Sequence, residues 1–374
     1  MPQTFVRSLL ARAVAVLLVP SAAAAETVAV GVCMPNLKPY LTISQAVAAV
    51  SSGSTILVCP GTYREQVIIT VPLTLEGVRS GNVANATIAV PLGGLKDSVI
   101  SPTNGVTMFY QVLVQGTGPG TVNISNLAVN GSSSSNSGLN GWIEGIYYQD
   151  SSGTVSNVST HGQKGNGYGF GIFLEGTTPQ AKTVTVKNST VHDFDSEGIR
   201  TNGTNSSLTA NITSTSVISS SSFSGKPVYG GIDVQGATGS ITNNRVLTHP
   251  APAGVSAGTG IAFPSNATVS GNTVVSFSVG IWSLGDTNTI TANEVSLAGS
   301  AVVVSGSGNV VKNNVLFTTI NSGEGISFNC TGTNNIVTNN LINESYWGII
   351  DLHGTNTITP NTFSNVTKIV SGSC

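Results

Sequence analysis

Arg200 and Asp233 are the residues of this chain whose type and spacing most invite chemistry, because each stands directly after a Gly-Ile dipeptide, Gly198-Ile199 and Gly231-Ile232. In a wound chain, residues at equal positions in successive turns become neighbours. A guanidinium beside a carboxylate can clamp a substrate, or act as a base held by its partner. The plainer alternative is an exposed ion pair, worth about 0–1 kcal/mol. Just before Arg200 runs Asp193-Phe194-Asp195-Ser196-Glu197-Gly198. Alternating acids followed by glycine match the first half of a calcium loop, but position twelve is Thr204 rather than Glu, which excludes the hand-type site. A looser oxygen site remains as an expectation, with Asp193, Asp195 and Glu197 holding a hard cation such as calcium. A solvated turn is its rival. Glu175, Asp195 and Asp233 also suggest a second chemistry, in which paired carboxyls act as acid and base on a glycosidic bond.

Aromatic and amide groups gather around these acids. Trp142, Tyr147, Tyr168 and Phe173 could stack on sugar faces or serve as packing, and Gln235 adds a polar contact. His161-Gly162-Gln163-Lys164-Gly165-Asn166-Gly167 is rich in glycine, but it lacks Gly-Lys-Ser/Thr and a following helix, so it is no nucleotide loop. His161 and His192 are read as incidental.

The elements that must position these groups form a repeat. Gly-Ile recurs at 145, 171, 198, 231, 260, 280, 325 and 348, with Ala301-Val302 in the one missing place. The intervals are 26, 27, 33, 29, 20, 21, 24 and 23 residues. The shortest suit one turn of a parallel β-helix, and the longer ones need inserted loops. With Ile pointing inward, alternation turns the second and fourth residues after each Gly outward. The outward pairs are then Tyr147/Gln149, Phe173/Glu175, Arg200/Asn202 and Asp233/Gln235, followed by bland coils apart from Trp282. A second ladder carries Asn244, Asn272, Asn293, Asn314, Asn340 and Asn361 at strand ends, where Asn tolerates a left-handed bend and can hydrogen-bond along the stack. Asp351 falls at an inward position in the last coil and reads as a capping group. Near the start, Ile43, Ala46, Val47 and Val50 share one helical face, and Gly53 stops that helix. Such a helix would cover the open end of a coil.

Composition agrees with this all-β reading. Hydrophobic residues make up 40% of the 374, charged residues only 8%, and the net charge is −2. Disorder and a nucleic-acid partner are both disfavoured, the first for lack of charge and the second for lack of a basic face. Residues 1–25 read as a secretory signal: Arg7 and Arg12, the apolar run Ala13–Val19, then Ser21-Ala22-Ala23-Ala24-Ala25. The expected product is a secreted monomer, extracellular or periplasmic, with no membrane segment. Residues 26–374 are expected to be one β-helix domain, with cap and first coils over 26–75 and regular coils over 145–360. Export permits disulfides. Proximity in sequence pairs Cys33 with Cys59 and Cys330 with Cys374, one staple at each end, although other pairings of four cysteines exist.

Thr42-Ile43-Ser44-Gln45-Ala46-Val47, followed by Gly53-Ser54-Thr55-Ile56-Leu57-Val58-Cys59-Pro60-Gly61-Thr62-Tyr63-Arg64-Glu65, resembles the opening of the pectin-lyase-like superfamily. The Gly-Ile coils resemble its right-handed parallel β-helix repeats, over roughly residues 30–374. The resemblance implies a polysaccharide or surface-glycan partner. It also implies three candidate activities: a lyase, a glycoside hydrolase with paired carboxylates, or a non-catalytic adhesive protein. By resemblance in position, Arg200 would abstract the proton α to a uronate carboxylate held by calcium; Arg200, Asp233 and Glu175 are the candidate catalytic residues. The Asn-Thr-Asp-Gly and Gly-His-Gly of polygalacturonases, the Trp-x-Asp-His of classical pectate lyases and the Asp-Phe-Ile-Phe-Gly of pectin methylesterases are absent. Fold membership alone does not fix the reaction.

Overall fold

Thr42 starts the one helix among the described residues, Ile43–Ala49, by accepting a hydrogen bond on its hydroxyl from the Gln45 amide at 3.1 Å. Glu65 completes the cap: its carboxylate accepts from the amides of Ile43 and Ser44, both at 2.8 Å. A negative group at a helix N-terminus satisfies amides that the helix itself cannot. Ile43, Ala46, Val47 and Val50 face inward onto the main core, as their spacing predicts. The computed structural model describes residues 24–371 apart from 81–82, 85, 134–135, 137, 166, 204–206, 220–229, 250–256, 319–321, 330–331 and 352–353.

Beyond the helix the chain winds. One coil runs through strands Gly169–Gly176, Lys182–Lys187 and Thr190–His192, and the next through Glu197–Gly203, Leu208–Thr213 and Ser216–Ile218. Each strand pairs in parallel with its counterpart one coil on, building a 14-stranded and a 23-stranded sheet. The Gly-Ile register holds throughout: Ile146, Ile172, Ile199, Ile232, Ile261, Ile281, Val302, Ile326 and Ile349 pair in succession. Every one of them is fully buried. Each such side chain is worth about 1.5–3 kcal/mol against exposure.

The glycine before each inward Ile is required by crowding rather than by its dihedral. A Cβ on Gly171, Gly198 or Gly231 would lie 2.2 Å from the Cγ1 of Val191, Val217 or Val246 respectively. Ala301 fits in its own coil and is fully buried.

The asparagine ladder is present, with one correction. Asn244, Asn272, Asn293, Asn314 and Asn340 each donate from Nδ2 to Oδ1 of the next member, ending at Asn361, at 2.9–3.0 Å. The left-handed residue, however, is the one just before: Asn243, Gly271, Ala292, Asn313 and Asn339 carry the positive φ. The ladder members instead satisfy buried backbone groups at the corner. A second ladder, Asn309 to Asn335 to Asn356, lies at another corner. Asp351 closes that corner by accepting from Asn356 Nδ2 at 2.8 Å and the Gly354 amide at 3.2 Å.

Cys33 and Cys59 form a disulfide; Cys330 and Cys374 lie outside the described residues. Among the described residues no helix is long and apolar enough to cross a membrane. An antiparallel excursion interrupts the winding: Ser98–Ile100 folds back on the first residues of strand Thr107–Gln115.

Candidate functional site

Three columns of outward side chains run along the larger sheet. The central one is Tyr147, Phe173, Arg200, Asp233, Ala262 and Trp282, each paired in register with the next. Gln149, Glu175, Asn202 and Gln235 form the second. The third, Glu144, Phe170, Glu197 and Gly230, lies on the other side of the corner glycine. Strict alternation would turn Glu197 inward. The bend at Gly198, which leaves that residue out of the register, reverses the phase and puts Glu197 on the same face as Arg200.

Arg200 is the hub. Its Nη1 donates to both carboxylate oxygens of Glu197, at 3.0 and 3.1 Å, and lies 3.9 Å from Asp233 Oδ2. Nη2 donates to Gln235 Oε1 at 3.3 Å, and Gln235 Nε2 donates to Asp233 Oδ2 at 2.7 Å. The guanidinium sits over the rings of Trp142 and Phe170, 5.4 and 5.9 Å from their centroids. Side-chain exposure is 17% for Arg200, 14% for Asp233 and 4% for Glu197, so the attractions act in a medium much less screening than water. Gly230 leaves the space beside Glu197 open; a Cβ there would stand 3.5 Å from Glu197 Cγ.

The acids respond to this setting. Burial pushes the Glu197 carboxyl up to about 8, with the charge of Asp233 adding to the rise and Arg200 opposing it. Asp233 is also raised by burial, against the pull of Arg200 and the hydrogen bond from Gln235. Glu144 is fully buried, its two oxygens without partners, and burial holds it well above the carboxylate range. Near neutral pH this keeps Glu197 protonated, with Asp233 beside it raised in the same direction by its own burial.

A hollow of about 380 Å³ opens over this cluster, lined by Glu197, Arg200, Asp233, Gln235 and Trp282 among others. A second, of about 420 Å³, is lined by Thr107, Leu139, Asn140, Trp142 and Tyr168. Trp142 and Tyr168 stack with centroids 6.1 Å apart and planes at 14°.

Of the residues singled out in the sequence, Arg200, Asp233, Gln235 and Glu197 come together, with Trp142 and Tyr168 beside them. Tyr147 and Phe173 face outward from the coil but are fully buried, roofed by the antiparallel excursion in a cluster with Met108, Tyr110, Leu113 and Phe170. Glu175 anchors that roof. It is 2% exposed and accepts from Ser101 Oγ at 2.5 Å, from the Thr103 hydroxyl and from Tyr147 OH. These three residues therefore stand apart from the open groove.

The calcium expectation does not fit the geometry. Asp193 lies in a left-handed turn against His192, 2.9 Å away; Asp195 caps the glycine-rich loop at the Gly165 amide, 2.9 Å; and Glu197 is committed to Arg200. Three carboxylates that diverge to three different partners cannot supply the several converging oxygens a hard cation needs. Among the described residues no group of three or more metal-binding side chains converges. His161 and His192 stack at 4.9 Å on a neighbouring strand ladder.

The sequence reading missed Glu144, Phe170 and Gly230 as site-forming residues. Their signal was available: each stands one residue before a corner glycine or its equivalent, in the same frame as Glu197.

The wound sheets, corner ladders and outward columns define a right-handed parallel β-helix. The chain belongs to the family described as protein of unknown function (DUF1565), whose profile matches residues 35–273. The profile of NosD, a periplasmic copper-binding protein, matches residues 216–373. A search of curated proteins returns no match. Among solved structures, the A-module of the Azotobacter vinelandii mannuronan C-5 epimerase AlgE6 is similar over 86% of this chain and 93% of its own, with TM-score 0.50 and 12% identity. The Dettilon tailspike protein is similar with TM-score 0.58 and 13% identity, over 84% of this chain but 62% of its own. A mutant tailspike protein of E. coli bacteriophage HK620 in complex with a pentasaccharide matches with TM-score 0.57 and 13% identity, over 92% of this chain and 67% of its own. At such identities the likeness establishes the fold.

Proposed function

We propose that this chain is an exported carbohydrate-active protein that hydrolyses a glycosidic bond, with Glu197 as general acid and Asp233 as the partner carboxylate. The observation that carries this reading is the pairing itself: both carboxyls lie within 4 Å of the same Arg200 nitrogen at the floor of an open groove. Their facing oxygens are therefore no more than about 7 Å apart, within the range over which two carboxyls flank a glycosidic oxygen. Glu197, held protonated, would donate its proton to the departing oxygen. Asp233 would either attack the anomeric carbon, forming a glycosyl ester that water then cleaves while giving a proton to Glu197, or take a proton from the attacking water and release it to solvent, from which Glu197 is reprotonated. Arg200 would keep Asp233 ionised. A base role for Arg200 itself fits less well, since two adjacent carboxyls stabilise its charged form. The similarity to polysaccharide-related β-helix proteins, the disulfide and the match to a periplasmic family support export and a glycan partner.

The test is release of reducing ends from a panel of polysaccharides by wild type, Glu197→Gln and Asp233→Asn. Turnover by wild type and at least a hundredfold loss in each variant is expected. Products absorbing in the ultraviolet with no gain of water would show elimination, and glycan binding without turnover would show an adhesive protein; either result overturns the proposal.

A further inference from the structure

We infer that the groove is built for an uncharged glycan that crosses Trp142 and occupies the hollows on both sides of it. This rests on the reading that the groove binds glycans, and it adds the substrate's charge, length and direction.

Charge is decided by the lining. Arg200 is the sole cation among the described residues that line either hollow. It is not available to a substrate carboxylate, because Nη1 is shared by Glu197 and Asp233 and Nη2 is given to Gln235. With Glu197 protonated and Arg200 matched by Asp233, a uronate in this groove would bring a negative charge that no further cation of the lining balances, and holding an unbalanced charge in a half-buried site is costly. A sugar bearing only hydroxyls meets no such opposition. It finds Gln235, Asn140 and Thr107 as hydrogen-bonding groups along the way.

Length and direction follow from the aromatic residues. Trp142 and Trp282 are both partly exposed, and each lines one of the two hollows. They are separated by five coil steps, about 24 Å at the spacing of neighbouring strands. Trp142 forms the step between the hollows: its ring carries Arg200 on one side and lies almost parallel to Tyr168, which is 39% exposed, on the other. An apolar ring face between two pockets with few polar groups is the common pattern of a small-molecule site. A glycan held over Trp142 would place its reacting bond above Glu197 and the flanking sugars beside Tyr168 and Trp282. The direction is thus along the coil axis.

The experiment is isothermal titration of Glu197→Gln protein, which binds without cleaving, with cellohexaose, mannohexaose and xylohexaose, their trisaccharides, and the hexasaccharides of galacturonate and mannuronate. At least one neutral hexasaccharide is expected to bind tenfold or more tighter than its own trisaccharide and than either uronate. Trp142→Ala in the same background should remove the hexasaccharide's advantage over the trisaccharide. Should Trp142→Ala fail to fold by circular dichroism, Tyr168→Ala, at an exposed ring, reads the same hollow. Tighter binding of a uronate, no binding of any neutral hexasaccharide, or an advantage that survives the aromatic substitution would overturn the inference. A neutral hexasaccharide that binds as described but is not cleaved by wild type would sink the hydrolase proposal and leave this one standing.

Discussion

Glu197→Gln should make this protein more stable at alkaline pH and flatten its stability profile. In the folded chain the Glu197 carboxyl is raised to about 8 from an ordinary 4.5. Between those values the unfolded chain has lost the proton while the folded chain keeps it, so stability falls as pH rises. The contribution is fully present below pH 4.5 and is lost by the time pH passes 8. At 1.36 kcal/mol per unit the whole loss is about 5 kcal/mol, an upper figure that is undiminished by solvent because the side chain is only 4% exposed. Gln keeps the shape and can still accept from Arg200, and at neutral pH it replaces a group already uncharged, so little else changes. The assay is thermal melting of wild type and variant from pH 4.5 to 9, followed by circular dichroism. The two melting curves should agree at the acid end and separate steadily, with the variant higher at pH 8–9. Parallel profiles, or a wild type that gains stability over this window, would refute the claim that Glu197 is protonated in the folded groove.

Other outcomes follow from the same contacts. Arg200→Met leaves Glu197 and Asp233 without their shared cation, and removing one partner of a buried ion pair costs about 3–5 kcal/mol; chemical denaturation should show this loss shrinking as pH is lowered and the acids become neutral. Asn293→Ala deletes a side chain that donates to Val269 O and Asn314 Oδ1 and accepts from Asn272, all at 2.9–3.0 Å. Two or more buried partners are orphaned at about 1–3 kcal/mol each, and protease susceptibility of the C-terminal coils should rise. Gly231→Ala forces a methyl to within 2.2 Å of Val246 Cγ1, and overpacking of this kind costs about 1–3 kcal/mol, read as a lowered melting temperature with the groove's glycan affinity reduced.

The winding was legible because its cause is local and periodic. Every coil needs an inward aliphatic residue after a corner too tight for a side chain, and that demand prints Gly-Ile at nearly every turn. The outward columns were legible for the same reason, down to the neighbours Tyr147, Phe173, Arg200 and Asp233. Two things escaped the period-two rule. Glu197 was placed with the wrong partners because the bend at Gly198 reverses the alternation, which no strand pattern announces. Tyr147, Phe173 and Glu175 look exposed in any coil-by-coil reading, yet the excursion at Ser98–Ile100 covers them. That cover comes from two coils earlier in the chain and is carried by hydrogen bonds from Ser101 and Thr103 to Glu175, a non-local choice invisible to a repeat.

The array also divides its labour along the axis. At the corner where the later coils carry ladder asparagines, the earlier coils carry Leu127, Val158, Ser189 and Thr215, so the hydrogen-bonded run begins only at Asn244, in the coil of Asp233 itself. The two longest intervals, 33 and 29 residues, fall on either side of Gly231. Charge obeys the same division: in a chain with 8% charged residues, Glu144, Glu175, Glu197, Arg200 and Asp233 fall within four consecutive coils. Holding several acids this close costs stability, which the remaining coils must supply through aliphatic burial and amide ladders. That expense concentrated in one place, next to an open groove, is what a site requires and what a uniform structural rod would have no reason to carry.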